Sequence, residues 1–220
     1  MNATQMTAAI ILAAGSSSRM GGGKHKLMLP LDGRPVLARV IDATLASQAR
    51  PIIVVIGHQS AQVRLQIEHY TAYKDVAIIE NDQYLQGMST SLHKGIQIIL
   101  ANGYKNDLLR NVDSTLILLG DQPLITPQII NELITAYRTA GKRIVAPLYK
   151  GKRGNPVLFD KSLFRELIEV TGDEGGRTVL ERHRDEVELI EMGDTQANFD
   201  VDTWEAYEQV VEAWKDQPKE

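Results

Sequence analysis

Five short apolar runs, separated by helical patterns, constrain this chain more than any other feature. Residues 8–14 are continuously apolar and too short for a core helix, so they read as a strand buried on both faces. Residues 35–47 put Val36, Leu37, Val40, Ile41, Thr44 and Leu45 on one helical face, with Pro35 suited to the first turn. A β-branched strand at 51–56, a helix at 59–67 and a short strand at 76–79 follow. Residues 89–100 read as a helix with Leu92, Ile96, Ile99 and Leu100 inward, and 115–119 as a fourth strand. Thr126-Pro127 starts a helix that Gly141 ends, and residues 143–147 give a fifth strand. This βαβαβαβαβ order predicts an α/β fold with a Rossmann-like, doubly wound, mostly parallel sheet in three layers.

Beyond residue 147 the rhythm changes. A basic, turn-rich loop at 149–156 leads into a returning strand at 157–159. Two short helices are expected at 161–170 and 177–183, a strand at 187–191, an extended stretch at Val201 and a closing helix at 204–214. No linker, repeat or low-complexity segment divides the chain, so residues 1–220 are expected to form one domain.

The first strand runs into Gly15-Ser16-Ser17-Ser18-Arg19-Met20-Gly21, followed by Lys24 and Lys26. Such a Gly/Ser loop can wrap backbone N–H groups around an anion, and its cations neutralise what those groups orient. A triphosphate is the natural guest. The spacing fits neither a P-loop nor a dinucleotide-binding turn. In open α/β sheets, however, ligands lie beyond the carboxyl ends of the strands, where this loop falls.

Two carboxylate sites accompany it. Asp121, in Gly120-Asp121-Gln122-Pro123, follows the buried run 115–119 and so stands at the same sheet edge, while Thr126 is the better cap for the next helix. In Asp200-Val201-Asp202, an inward Val201 on a strand would turn both aspartates to one face. Thr203 is available to cap the last helix, leaving either aspartate for a metal. Hard oxygen ligands beside a triphosphate suit Mg²⁺, with Mn²⁺ as a substitute.

Composition narrows the classes. The net charge is −4 with no long basic run, which disfavours a nucleic-acid partner. There are no cysteines, which removes disulfides, thiolate metal sites and a cysteine nucleophile and fits a cytoplasmic setting. The first residues carry no basic leader and no stretch approaches a membrane span, so no membrane association is expected.

These elements together resemble a known family. Leu12-Ala13-Ala14-Gly15, Arg19-Met20-Gly21, Lys26 and Leu29-Pro30-Leu31-Asp32-Gly33-Arg34-Pro35 are similar to the signature of the MobA-like NTP transferases. Residues 81–92, Gly120-Asp121-Gln122-Pro123, Gly154-Asn155-Pro156-Val157, residues 172–177 and Asp200-Val201-Asp202-Thr203 continue the likeness in family order. The branch most resembled is that of the molybdenum cofactor cytidylyltransferases. The resemblance implies a nucleotide-binding half over about 8–147, an acceptor-binding half over about 148–202 and a C-terminal helix over 203–220.

It also implies roles. Arg19 and the loop N–H groups of Gly15 to Ser18 would hold the β- and γ-phosphates, and Lys26 the α-phosphate. Asp121 and Asp202 would hold the metal, with Asp200 the other candidate. Leu12, Ala13, Ala14, Gly57, Asn81, Gly87, Ser89 and Ser91 would line the base and ribose pocket. Gly154, Asn155, Pro156, Asp173 and Arg177, with Lys152 and Arg153 nearby, would frame a phosphorylated pterin. The family usually places two residues between its Met-Gly and its lysine, whereas Gly22-Gly23-Lys24-His25 intervenes here. Counting back from Leu29-Pro30 selects Lys26; counting forward selects Lys24. The guanylyl branch tends to carry Gly-Gly where this chain has Ala13-Ala14-Gly15, and an acidic residue before the lysine; this chain has neither, so CTP is expected over GTP.

The expected reaction is transfer of CMP from CTP to the phosphate of molybdenum cofactor, with release of pyrophosphate. No histidine is assigned a catalytic role. The alternatives are another phosphorylated acceptor, such as a sugar or polyol phosphate, or a non-catalytic accessory protein that serves a molybdoenzyme client.

Overall fold

The structure is a computed structural model that describes residues 5–16, 20, 25–102, 107–193 and 195–216. Its strands are β1 (Met6–Ala13), β2 (Pro30–Leu31), β3 (Arg34–Pro35), β4 (Ile52–Ile56), β5 (Val76–Glu80), β6 (Val112–Leu119), β7 (Ile144–Tyr149), β8 (Lys152–Arg153), β9 (Val157–Asp160) and β10 (Val187–Glu191). Its helices are α1 (Val36–Leu45), α2 (Ser60–Ile67), α3 (Met88–Asn102), α4 (Asp107–Arg110), α5 (Pro127–Ala140), α6 (Phe164–Leu167), α7 (Arg177–Arg182) and α8 (Trp204–Lys215).

The main sheet runs β10-β7-β9-β6-β1-β4-β5, with β8 paired to β7. β1 pairs in parallel with both β4 and β6, β5 with β4, and β10 with β7. Only β9 and the short β8 run antiparallel to their neighbours in this sheet, β9 lying between β6 and β7. The chain winds outward from β1 through β4 to β5, then crosses to β6 on the other side. The switch in winding direction therefore falls between β1 and β6, the place where ligands settle in such sheets.

Alternation along the strands builds the three layers. Ala9, Ile11 and Ala13 face one side, covered by α1, α2 and α5 through Leu37, Ile41, Val63, Ile67, Ile130 and Leu133. Ala8, Ile10 and Leu12 face the other, covered by α3, α6 and α7 through Leu92, Ile96, Phe164, Leu167 and Val179. Each fully buried Val, Leu, Ile or Phe side chain among these stabilises the fold by roughly 1.5–3 kcal/mol. The expected start and stop signals operate as read: Thr126 accepts from the Ile129 N–H, Pro127 opens α5 and Gly141 closes it at φ 65°.

A third apolar cluster sits at the carboxyl edge. Met20, Leu29, Leu31, Val36 and Leu124 pack there against Val201 and Val210. It docks α8 beside the loop that follows β1.

Three local expectations are corrected. The helix expected over 161–170 is a single 3₁₀ turn, Lys161–Leu163, followed by the short α6. Asp160 accepts from the Ser162 N–H, and this cap starts the tight turn. Val201 is buried but lies in no strand: its N–H donates to the Asp121 carbonyl (2.9 Å), and the chain bends there as the Asp202 N–H donates to the Asp200 carbonyl (3.1 Å). Residues 30–35, read in the sequence only as part of the family signature and the start of a helix, form the β2–β3 hairpin. Asp32 (φ 49°) and Gly33 (φ 77°) are both left-handed, as a two-residue Asp-Gly turn requires. Among the described residues, no helix is long and apolar enough to cross a membrane.

Candidate functional site

The end of β1 and the end of β6 are tied together where the winding reverses. The Gly120 N–H donates to the Leu12 carbonyl (2.9 Å), which carries Asp121 to the mouth of the loop after Ala14. Lys26 arrives from the far end of that loop on a 3₁₀ turn, Lys26–Met28. Its ammonium donates to Asp121 Oδ2 (2.5 Å) and to Asp202 Oδ1 (2.7 Å). Three segments distant in sequence thus converge on one charge cluster.

The bend at Val201 sorts the two remaining aspartates. Asp202 meets Lys26, whereas Asp200 Oδ1 accepts from Gln122 Nε2 (2.7 Å). Asp200 nevertheless stays close to the cluster, since the Asp121 and Asp202 charges both act on its carboxyl. Thr203 caps α8 by accepting from the Ala206 N–H (3.1 Å), so Asp202 is not spent on that helix. Burial works against the Lys26 ammonium, but the Asp121 charge and the hydrogen bonds to Asp121 and Asp202 outweigh it and raise its pKa above the ordinary value. Burial, followed by the Asp121 charge, pushes the Asp200 carboxyl up to about 6 despite its bond from Gln122.

Asp121 and Asp202 each place one oxygen on the same ammonium, so those oxygens lie within twice a hydrogen-bond length of each other. Among the described residues no group of three or more His, Cys, Asp or Glu could hold a metal ion. A pair of carboxylates leaving other positions to phosphate oxygens and water is the donor set that suits Mg²⁺ bound with a nucleotide.

On the expected base side, Gly57 has no room for a side chain: a Cβ there would lie 2.7 Å from Ala14 Cβ and 2.9 Å from Tyr84 Cβ. Gly87, at φ 111°, packs against the Gly172 backbone, 2.6 Å from where its Cβ would be. Asn81 is fully buried. Its amide donates to Thr90 (2.8 Å) and Ser91 (2.9 Å), and its carbonyl oxygen accepts from the Gln83 N–H (3.0 Å). Asn81 and Ser91 therefore shape the turn before α3. The buried Ser89 gives its N–H to the Gly172 carbonyl (2.9 Å).

The expected acceptor residues gather around one cavity of 460 Å³. Gly154, Asn155, Asp173 and Arg177 line it, with Arg153 on the same rim and Leu12 and Leu119, from the ends of β1 and β6, among its walls. Pro156 follows Asn155 through a cis peptide bond. Lys152 lies on β8, exposed. Sequence reasoning missed the apolar lining from Met88, Ile117, Val157, Phe159 and Leu180, because an apolar residue facing a cavity looks like a core residue. It also missed that Asp173 spends one oxygen on the Met88 N–H (3.1 Å) at the start of α3.

Arg19, Ser17, Ser18 and Lys24 lie outside the described residues. Gly15 and Ser16 follow Ala14 and are exposed.

Comparison with known proteins adds three likenesses. The chain is 32% identical over 149 residues to the bifunctional protein GlmU of Geobacter sulfurreducens, which covers 68% of this chain but 28% of that protein. The chain thus spans under a third of the length of the curated relatives it matches. A Mycobacterium homolog of Rv0371c has the same fold at a TM-score of 0.77, with 26% identity over 95% of this chain and 96% of its own. Rv0371c of Mycobacterium tuberculosis, also solved as a manganese complex, is 25% identical; its manganese form covers 95% of this chain and 99% of its own at a TM-score of 0.69. The sequence model of the MobA-like NTP transferase domain matches residues 9–187, and the chain belongs to that family of nucleotidyltransferases.

Proposed function

We propose that this protein transfers a nucleoside monophosphate, CMP from CTP, to the phosphate of molybdenum cofactor and releases pyrophosphate. The observation that carries this reading is the Lys26 ammonium held between Asp121 and Asp202 at the β1–β6 switch. A cavity lined by Gly154, Asn155, Asp173 and Arg177 opens at the same strand ends.

An acceptor phosphate oxygen attacks the α-phosphorus. A P–O bond forms to the acceptor, the bond to the bridging α–β oxygen breaks, and its electron pair leaves with pyrophosphate. The acceptor is already anionic, so no side chain has to take a proton from it. Positioning and charge neutralisation do the work. Lys26 meets the α-phosphate oxygens, where charge develops. Arg19 and the N–H groups of residues 15–18 hold the β- and γ-phosphates. Asp121 and Asp202 would hold a divalent metal, Mg²⁺ or Mn²⁺, which would supply Lewis-acid neutralisation of phosphate charge. The manganese complex of Rv0371c supports a metal of this class. Asp200, tied to Gln122, fixes the bend that aims Asp202.

Arg153 and Arg177 put two cations on the cavity lining, beside the carboxylates of Asp173 and Glu174, for a phosphorylated acceptor to meet, and the apolar walls admit a ring. Ala13 and Ala14, with the glycine-tight contact at Gly57, form the wall on which the choice of CTP rests.

The test is pyrophosphate release with Mg²⁺ and molybdenum cofactor, run in parallel with CTP, GTP, ATP and UTP. Release with CTP alone is the expected result. Release with GTP keeps the mechanism and overturns the base assignment. Release only when the acceptor is changed to a sugar or polyol phosphate overturns the acceptor. Silence with every acceptor favours an accessory protein that serves a molybdoenzyme.

A further inference from the structure

His25 stands immediately before Lys26 and is buried, 3% exposed. Its Nδ1 accepts from the Leu27 N–H (3.3 Å), which caps the 3₁₀ turn that carries Lys26. That leaves Nε2 as the protonated nitrogen, and it donates to the His58 carbonyl (3.1 Å). The two imidazoles stack, with centroids 5.5 Å apart and planes 23° from parallel.

His58 is held from its other side as well. Its backbone N–H donates to the Ala14 carbonyl (3.1 Å), at the last residue of β1's apolar run. The peptide groups of this one residue thus tie Ala14, before the glycine-rich loop, to His25, after it. Tyr84 completes the stack: its ring meets His58 edge-on at 5.8 Å, and its hydroxyl lies 3.4 Å from His58 Nδ1. Tyr84 begins the turn that leads to Gly87 and α3. One continuous ladder therefore joins the base-side turn, the end of β1 and the lysine.

From this geometry we infer that His25 is the positioning residue for Lys26. It fixes the 3₁₀ turn through Nδ1 and anchors that turn to the end of β1 through Nε2 and the His58 carbonyl. The inference rests on the proposed role of Lys26 in nucleotidyl transfer. It gives a task to a histidine in the four-residue stretch that lengthens this loop.

Two variants separate positioning from bulk packing. His25→Ala removes both hydrogen bonds. His25→Gln retains an amide N–H able to reach the His58 carbonyl. A displacement of an ångström at a reacting group costs about 100-fold, so His25→Ala is expected to lower kcat about 10- to 100-fold, with KM for the nucleotide changing less. His25→Gln is expected to recover most of the loss.

The second readout does not depend on turnover. Backbone amide exchange is followed by NMR at Leu27, whose N–H donates to His25 Nδ1, and at Met28 and Leu29, whose N–H groups donate to the His25 and Lys26 carbonyls and close the 3₁₀ turn. Protection at these amides is expected to fall in His25→Ala and to be largely kept in His25→Gln. Unchanged kcat and unchanged protection in His25→Ala would overturn the inference. Equal losses in both variants, at an unchanged Tm, would overturn it too, because the donor to His58 would then be irrelevant. A wild type that releases no pyrophosphate removes the functional reading and leaves the amide protection to decide whether His25 holds the turn.

Discussion

The proposed nucleotide and acceptor sides of the site are built differently. On the first, regular parallel strands carry the proposed groups: Ala14 follows β1, Asp121 follows β6, and a backbone bond from Gly120 to Leu12 holds the two ends in register. On the second, turns present the proposed groups. Gly154 lies against the Tyr149 ring, the Tyr149 hydroxyl donates to the Asn155 carbonyl (2.8 Å), and Asp173 caps a helix from the opposite half. A strand end is fixed by a ladder of hydrogen bonds along its length, whereas these turns are held by individual bonds, among them Gly154 N–H to the Pro147 carbonyl and Ser89 N–H to the Gly172 carbonyl. In the proposed mechanism, charge chemistry that tolerates little displacement sits on the first kind of support, and acceptor recognition on the second.

Perturbing each side should therefore give different signatures. The largest effect is expected from Lys26→Ala, which removes the cation shared by Asp121 and Asp202. Loss of one preorganised charge-stabilising donor costs roughly 100- to 1,000-fold in kcat, and Lys24→Ala should cost far less. Steady-state kinetics checks this, and the opposite ranking would move the α-phosphate contact to Lys24. On the acceptor side, Arg177→Ala removes a cation from the cavity rim. It should raise KM for the acceptor about tenfold or more, the worth of one charged hydrogen bond, while KM for the nucleotide holds. An equal rise in both would erase the distinction between the two sides.

Gly154→Ala probes the turn itself. A Cβ there would lie 2.7 Å from the Tyr149 ring, which is buried, so the loop or the ring must shift. Overpacking of this kind costs about 1–3 kcal/mol, readable as a lower Tm, and acceptor affinity should fall with it.

The pH dependence concerns the residue immediately before Lys26. Burial holds the His25 imidazole down at about 4, against an ordinary value of 6.5. The His58 carbonyl bond opposes this, and the His58 and Lys26 charges add to it. The unfolded chain takes up this proton first as pH falls. Stability from neutral His25 is thus complete above about 6.5 and is lost as pH drops from there toward 4. One proton's linkage is about 1.4 kcal/mol per pH unit, and His25→Gln should remove that slope in denaturant unfolding between pH 7 and 4.5.

Much of the nucleotide side was legible because its signals are local. The continuous apolar run 8–14, the Thr126-Pro127 start and the Gly141 stop each act within a few residues, and each forms as read. The convergence of Lys26 with Asp121 and Asp202 carries no local signal; it was reached through the ordered resemblance to a family. The condition that Val201 pack inward from a strand is met only in its burial. That burial comes from the cluster beside α8, which needs no ladder, and the turn there gives Asp200 to Gln122 and Asp202 to Lys26. The hairpin at 30–35 was readable, since Asp32-Gly33 is a two-residue turn signal, but Pro35 drew attention to the helix after it. His25 was passed over because its role lies in two backbone partners that no spacing reveals.

The central claim is that the Lys26–Asp121–Asp202 cluster carries nucleotidyl transfer. Its most direct test is pyrophosphate release from CTP and molybdenum cofactor with Mg²⁺, measured side by side for the wild type and Asp121→Asn at matched Tm. The expected result is steady release by the wild type and none above background in the variant. Equal release by both would contradict the claim and remove Asp121 from the reaction.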